Sequence, residues 1–141
     1  DGPVKRGVGV ASCWYGCGNT ALPNPSTIRI GLAPEGRVML HQGATDIGQG
    51  SNTVISQIAA EALGLPISTF SLIGPDTFLT PDAGKTSASR QTFVTGRAAQ
   101  AAAVSLRAAI LRLDQRLADF ALAQPATPPA GRPAAARRAK S

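Results

Sequence analysis

The stretch Gly43–Thr53, which reads GATDIGQGSNT, decides the fold of this chain because it joins a predicted strand to a predicted helix. The apolar run at 37–42 before it favours a strand, and the pattern at 54–63 after it favours a helix. Its three glycines lie within eight residues and permit positive φ angles and close backbone approach. The sequence therefore predicts a glycine-rich turn from strand to helix.

This turn has two interpretations. Ser51 and Asn52 are good N-cap residues, which fits an ordinary tight turn followed by a capped helix. A helix start with free N–H groups and a positive dipole end also suits an anion, typically a phosphate. Gln49 favours the functional interpretation, because an amide between two glycines has little side-chain cover and offers donors and an acceptor to a ligand.

Length and composition limit the class of protein. The 141 residues suffice for one domain with a core, which must be largely aliphatic because only 4% of residues are aromatic. No apolar run approaches the ~20 residues that span a bilayer, so no membrane partner is expected. The net charge of +6 comes mainly from four cations beyond Gln124; upstream, ten cations face eight acids. A specific nucleic-acid partner is therefore not implied.

Hydrophobic patterns predict the remaining elements. Strands are expected at 5–15, 26–32, 38–42 and 67–73, and helices at 51–63 and from about Ser87 to Ala123. The expected fold class is α+β: a small, mostly antiparallel sheet with two helices packed on it. The long second helix is expected either to break near Gly96 or to pack its far half on something absent from this chain. Residues 1–123 form the predicted domain, and 124–141 form a basic Pro/Ala-rich tail whose composition predicts disorder.

The cysteines and the single histidine are weak functional candidates. The three-residue gap between Cys13 and Cys17 differs from the two-residue gap of zinc and thioredoxin motifs, and two thiols cannot ligate an iron–sulfur cluster. We expect buried free thiols, which favour a reducing, cytoplasmic setting. His41 is expected to be structural.

A second polar stretch, Thr80–Gly96, contains the tripeptide Gly84-Lys85-Thr86, which suggests a phosphate-binding P-loop. That motif needs a glycine five positions before Gly84, where Leu79 stands, so the P-loop interpretation is rejected. What remains is a helix start rich in hydroxyls and amides, which suits an anion or a polar heterocycle, with simple capping as the alternative. Two such helix starts predict that Gln49 and residues 87–92 converge on one cleft.

These two stretches resemble cofactor motifs of the xanthine oxidase and aldehyde oxidoreductase family of molybdenum hydroxylases. Gly43–Thr53 is similar to the molybdopterin-binding motif, with Gly48-Gln49-Gly50 at its Gly-Gln-Gly turn. Ala88 matches the small residue near the molybdenum, and the positions after it match those that hold the pterin and its phosphate. The resemblance covers roughly residues 7–105. It implies these cofactor-binding residues: Ile47, Gly48, Gln49, Gly50, Ala88, Ser89, Arg90, Gln91 and Thr92.

The resemblance implies part of an oxidoreductase that hydroxylates aldehydes or N-heterocycles with water as oxygen source. The implied cofactor is molybdenum–pyranopterin, as molybdopterin or its cytosine dinucleotide. Iron–sulfur clusters and FAD are expected only on partner domains or subunits, beside the remainder of the molybdenum subunit. Glu35 and Glu61 do not match the family's general-base glutamate motif, so no catalytic residue and no metal ligand are assigned.

An internal fragment of a molybdenum subunit is thus expected, and this chain alone is expected to lack hydroxylase activity. Two alternatives stay open from the residues: a truncated, non-catalytic fragment, and an anion-binding module without redox chemistry.

Overall fold

The computed structural model describes residues 2–123, and the side chains of residues 2–119. In chain order the elements are β1 (Ile28–Leu32), β2 (Val38–Gln42), α1 (Ser51–Leu63), a short 3-10 helix (Ile67–Thr69), β3 (Phe70–Ile73) and α2 (Gln91–Ala123). The expected α+β class is confirmed. The tail at 124–141, for which disorder is predicted, lies outside the described residues.

The sheet has three strands in the order β1-β2-β3. A hairpin pairs β1 and β2 antiparallel, with Ile30 opposite Leu40. The central strand β2 alternates, so that Val38, Leu40 and Gln42 are fully buried on one face. Burial of an aliphatic side chain such as Leu40 contributes about 1.5–3 kcal/mol, so β2 is the centre of the core.

The pairing of β2 with β3 is parallel, with Val38 opposite Phe70, so the expectation of a mostly antiparallel sheet is wrong for this pair. The reason is α1, which lies between the two strands in the chain and provides the crossover that parallel pairing requires. The predicted strand at 67–73 is shortened to its second half, because its first three residues form the 3-10 helix. The glycine-rich turn is therefore the start of a β-α-β crossover.

Helix α1 ends as the sequence predicts and begins differently. Gly64 has φ +79° and donates its N–H to the carbonyl of Ala60 at 2.9 Å, which is a left-handed C-cap. At the other end Gly50, with φ +80°, is the N-cap residue. The expected caps, Ser51 and Asn52, belong to the first turn, where the N–H of Asn52 is bonded by the carboxylate of Asp46.

Helix α2 begins at Gln91, four residues later than expected, because Ala88 and Ser89 both have φ +51° and leave the helical region. The helix does not break at Gly96. A Cβ at Gly96 would lie 2.8 Å from Ile58 Cδ1, so the missing side chain allows α1 and α2 to approach closely. This glycine is a packing position and not a helix terminator.

The chain divides into two compact units, Asp1–Ala109 and Ile110–Ser141. The first unit contains the sheet, α1 and the start of α2. Its buried apolar residues include Val38, Leu40, Ile55, Ala59, Ala99 and Ala103. In the described part of the second unit, Leu111, Leu113 and Leu117 are each more than half exposed. No helix between residues 2 and 123 is both long and apolar enough to cross a membrane.

The N-terminal segment at 5–15 is not a strand, although its pattern predicts one. Its apolar side chains Val8, Val10 and Trp14 are more than nine-tenths exposed. Extended residues form a strand only when another strand satisfies their backbone groups, and none of the described strands pairs with this segment. Cys13 and Cys17 are accordingly exposed free thiols, so the expectation that they are buried is wrong.

Candidate functional site

The turn between β2 and α1 is fixed from both ends. Gln42 is fully buried; its Nε2 donates to Asn52 Oδ1, and its Oε1 accepts the N–H of Ala44 at 2.8 Å. Gly43 lies against a second loop, since a Cβ there would collide with the carbonyl oxygen of Pro81. Glycine at this position is therefore required by the close approach of two backbone segments.

A carboxylate of the turn occupies the N-terminus of α1. Asp46 Oδ1 accepts the N–H groups of Gly48 at 2.9 Å and Gly50 at 3.3 Å, and Oδ2 accepts that of Asn52 at 3.1 Å. These donors, that of Asn52 above all, lower the pKa of Asp46 from its ordinary value of 3.8. Asp46 therefore caps this helix start, as the capping interpretation expects of Ser51 or Asn52, and the anion-binding interpretation stays a prediction.

Gln49 folds its amide back onto the same turn. Its Oε1 accepts the N–H of Ile47 at 2.7 Å, and its Nε2 donates to the carbonyl of Thr45 at 3.2 Å. The side chain is exposed, and Nε2 carries a second N–H, so the amide retains capacity for a ligand. Gly48 and Gly50, with φ +103° and +80°, give the turn its shape.

Hydrogen bonds join the second loop to this turn. Thr86 Oγ1 donates to the carbonyl of Thr45 at 2.8 Å and lies 3.1 Å from Gln91 Nε2, which donates to it. Gln91 is buried, and its Oε1 accepts a hydrogen bond from the hydroxyl of Thr95. The Gln91 side chain therefore connects α2 to the loop.

The two residues before Arg90 have an unusual backbone. Ala88 and Ser89 lie in the left-handed region, with φ +51° at each. For residues other than glycine this costs of order 1–3 kcal/mol each and persists only where the surroundings hold it. One contact that stabilises this conformation is a hydrogen bond from the N–H of Gly18 to the carbonyl of Ala88 at 2.6 Å. Strain of this kind concentrates at binding sites.

Neither helix has an acidic residue in its first turn. The N-terminus of α2, unlike that of α1, also has no hydrogen bond to a carboxylate of the described residues. Its first backbone bond joins the N–H of Val94 to the carbonyl of Arg90 at 2.8 Å. The N–H groups of Gln91, Thr92 and Phe93 therefore precede the intrahelical ladder and have no acceptor within it. Together with the positive end of the helix dipole, they favour an anion or a polar ligand.

The turn and the start of α2 converge on one cleft of about 470 Å³, as the sequence predicts. Seven members of the predicted set line it: Ile47, Gln49, Ala88, Ser89, Arg90, Gln91 and Thr92. The other two, Gly48 and Gly50, are not lining residues, and their positive φ angles shape the turn. No Asp or Glu is among the residues that line this cleft, so its chemistry suits a negatively charged ligand.

The predicted set omits three lining residues, Tyr15, Thr86 and Ser87. The two hydroxyl residues were visible in the sequence as part of a polar helix start. Tyr15 gives no such signal, because it is distant in sequence and lies in a segment whose pattern predicts a strand. Asp46 was also missed, although an Asp two residues before a glycine is a common way of capping the following backbone.

Arg90 is a buried cation beside the cleft, with only 1% of its surface exposed. Its Nη1 donates to the carbonyls of Ala83 at 2.7 Å and Lys85 at 3.0 Å. Its Nη2 donates to the carbonyls of Pro25 at 2.9 Å and Asn24 at 3.4 Å. Its Nε has no hydrogen-bond partner among the described residues. The guanidinium thus joins two loops to the start of α2.

The described part of the chain contains no group of three or more His, Cys, Asp or Glu placed to hold a metal ion. His41 Nδ1 lies 3.1 Å from the carbonyl oxygen of Leu79 and 3.1 Å from Arg29 Nη2, which fits the structural role expected for it. Glu35 and Glu61 are exposed and do not line the cleft.

An α+β unit with a polar cleft between a glycine-rich turn and an open helix start has the features of a cofactor-binding domain. The model of one family, the molybdopterin cofactor-binding domain, matches residues 1–130. This chain belongs to that family.

Known proteins agree with this assignment. The xanthine dehydrogenase molybdenum-binding subunit of Escherichia coli O157:H7 is 38% identical over 113 residues, covering 78% of this chain and 15% of that subunit. The structure of the Cu,Mo-CO dehydrogenase superposes with a TM-score of 0.65 at 25% identity, over 74% of this chain and 14% of that one. The aldehyde oxidoreductase of Desulfovibrio desulfuricans ATCC 27774 superposes with a TM-score of 0.53 at 32% identity, over 63% and 10%. This chain thus spans about 15% of the length of the E. coli subunit.

Proposed function

We propose that this chain forms part of the molybdenum–pyranopterin site of an oxidoreductase that hydroxylates aldehydes or N-heterocycles with water as the oxygen source. The observation that carries the proposal is the single cleft at which the Gln49 turn meets the start of α2, in a chain of the molybdopterin-binding family. When bound, the cofactor supplies the redox centre for that hydroxylation. The residues of this chain bind and orient it.

The cleft fits such a cofactor in size and charge. Its volume of about 470 Å³ lies within the roughly 300–1,000 Å³ of small-molecule sites. The free N–H groups of the first turn of α2 and the buried charge of Arg90 favour the phosphate of the pterin. The exposed hydroxyls of Ser87 and Ser89 can donate to and accept from a polar ring. These properties support the cofactor over an apolar ligand.

The predicted residues then take distinct roles. The backbone N–H groups of Gln91 and Thr92 donate to the phosphate, and the Gln49 amide bonds the pterin ring. Gly48 keeps the backbone of the turn accessible, and Ala88 leaves room beside the metal-bearing end. The proposal covers both molybdopterin and its cytosine dinucleotide.

The remainder of the molybdenum subunit and partners that carry iron–sulfur clusters and FAD belong to the same proposal. It is supported by the small share of the relatives' length that this chain covers and by the word "subunit" in the name of the E. coli relative. Exposed apolar positions on α2, including Val104 and Leu111, offer surface for such packing. A cytoplasmic location stays a prediction from the free thiols.

The test uses the full 141-residue chain and a stable, fluorescent pterin that carries phosphate, 6-hydroxymethylpterin diphosphate. Ala88→Asp places a carboxylate in the cleft, and Ala88→Asn is its neutral, isosteric control; both side chains tolerate the left-handed backbone. We expect saturable binding to the wild type and to Ala88→Asn, and affinity lower by about tenfold or more in Ala88→Asp. Absence of saturable binding to the wild type, or equal affinities of the two variants, would contradict the proposal.

A further inference from the structure

Arg90 lines the cleft, yet its guanidinium is buried and already donates four hydrogen bonds to backbone carbonyls. We propose that Arg90 is a positioning residue: it clamps the loops at 24–25 and 83–85 against the start of α2 and so assembles the cleft, without itself contacting the ligand. This inference rests on the proposed function at one point, namely that the cleft is the site that binds the ligand.

The geometry suits a clamp because the two terminal nitrogens serve different loops. Nη1 bonds the carbonyls of Ala83 and Lys85, and Nη2 bonds those of Asn24 and Pro25. These loop carbonyls lie outside any strand or helix, so without the guanidinium they would need other donors. Only arginine presents a rigid, planar fork of donors that can serve two separate loops at once; the single ammonium of lysine cannot.

The loop is built around the guanidinium. A Cβ at Gly84 would lie 2.9 Å from Nη1 and 3.0 Å from Nη2 of Arg90, and the φ of Gly84 is +69°. The left-handed pair Ala88–Ser89 directly precedes Arg90 and redirects the chain into α2. The side chain of Arg90 therefore points into the protein, while the first N–H groups of α2 stay free.

The clamp also explains how a buried cation is tolerated. Hydrogen bonds from a charged donor are roughly twice as strong as neutral ones, and four carbonyl dipoles surround this charge. Among the described residues its hydrogen-bond partners are all carbonyls, so the guanidinium keeps its net charge beside the cleft. Removing it should loosen both loops together and leave the sheet and α1 unchanged.

Amide hydrogen exchange of the full 141-residue chain tests this pattern. The variants are Arg90→Met, Arg90→Lys and Gly84→Ala; the last displaces the guanidinium without removing it. Arg97→Met, an exposed arginine on the same helix, is the matched control. The N–H groups of Gly18 and Thr27, which bond Ala88 and Asp82, report on the two loops.

We expect exchange at these reporters to rise by about tenfold or more in Arg90→Met and Gly84→Ala, and less in Arg90→Lys, which keeps the charge but not the fork. Amides of β2 and α1 should be unchanged, as should every amide of Arg97→Met. Affinity for 6-hydroxymethylpterin diphosphate should fall in the same order, with Arg90→Lys only partly rescued.

Unchanged loop exchange in the variants would overturn the proposal, and so would an equal rise in β2 and α1, which would mean general destabilisation. Full rescue of affinity by Arg90→Lys with the loops still loose would show that the charge, and not the clamp, matters. If Arg90→Met does not fold, Arg90→Lys and Gly84→Ala decide the question. If the wild type does not bind the pterin, the proposed function fails, while the exchange pattern still tests the clamp.

Discussion

The N-termini of α1 and α2 differ in how the free N–H groups at the start of each helix are bonded. Both helices begin with N–H groups that have no acceptor inside the helix. At α1 the turn supplies Asp46, which bonds the N–H groups of Gly48, Gly50 and Asn52. At α2 no carboxylate of the described residues bonds the first N–H groups, and residues of this helix start line the cleft. The helix start whose donors the chain leaves without a partner is therefore the one proposed to bind the ligand.

The two starts also differ in strain. The N-cap of α1 is a glycine, for which a positive φ carries little cost. The approach to α2 uses Ala88 and Ser89 in the same left-handed region, where each residue costs of order 1–3 kcal/mol. The relaxed, self-capped start shapes the turn, and the strained, open start lines the cleft. Three substitutions can break or sharpen this contrast.

The largest effect is expected where the two loops meet. Gly43→Ala would place a Cβ against the carbonyl of Pro81 and 3.4 Å from the N of Ala83, so one of the loops must shift. Because the clash is with backbone and not with a side chain that can rotate, we expect a loss of about 2 kcal/mol in the free energy of unfolding, measured by urea titration.

The control is Gly31→Ala in β1, where a Cβ would meet nothing within 4 Å. We expect its stability to stay within about 0.5 kcal/mol of the wild type. A Gly43→Ala variant as stable as Gly31→Ala would show that the two loops are not in close contact in solution.

A smaller effect is expected from removing the acid that caps α1. Asp46→Ala leaves the N–H groups of the turn and of Asn52 without their acceptor, so the midpoint of thermal unfolding should fall. Asp46→Asn keeps one acceptor oxygen and should fall less. Thr53→Ala, at an exposed position of the same helix turn, serves as control and should change little.

The pH dependence of that effect has a definite sign. The pKa of Asp46 in the folded state is lowered from 3.8, chiefly by the N–H of Asn52. The carboxylate therefore contributes its full stabilisation above the ordinary value, and that contribution is lost as the pH falls through the lowered value. The gap between wild type and Asp46→Asn should be largest near neutral pH, begin to narrow near pH 3.8 and close only below the lowered pKa of the folded state. A gap that widens in acid would contradict this capping role.

Much of the fold and most of the cleft could be predicted from the sequence. Periodicity located both hairpin strands and the extent of α1, and Gly64 marked its end. The parallel β2–β3 pair was not predicted, because pairing depends on tertiary contacts that strand patterns do not encode. The resemblance supplied seven residues that line the cleft, whereas the internal cap Asp46 depends on how the turn folds, which motif matching does not report.

The smallest effect is expected from placing a carboxylate at the start of α2, as Asp46 already lies at the start of α1. Ser89→Asp puts a carboxylate one residue before the N-cap of α2, at a backbone that Asp tolerates in the left-handed region. If the open N–H groups of this helix start are what attract an anion, the new side chain should stabilise the domain by about 0.5 kcal/mol. It should at the same time weaken binding of 6-hydroxymethylpterin diphosphate, while the neutral Ser89→Asn should do neither to the same degree. Removing a carboxylate from the start of α1 would then destabilise the domain, and adding one at the start of α2 would stabilise it. If Ser89→Asp destabilises the domain and leaves pterin binding intact, the start of α2 is not the anion-binding half of the cleft.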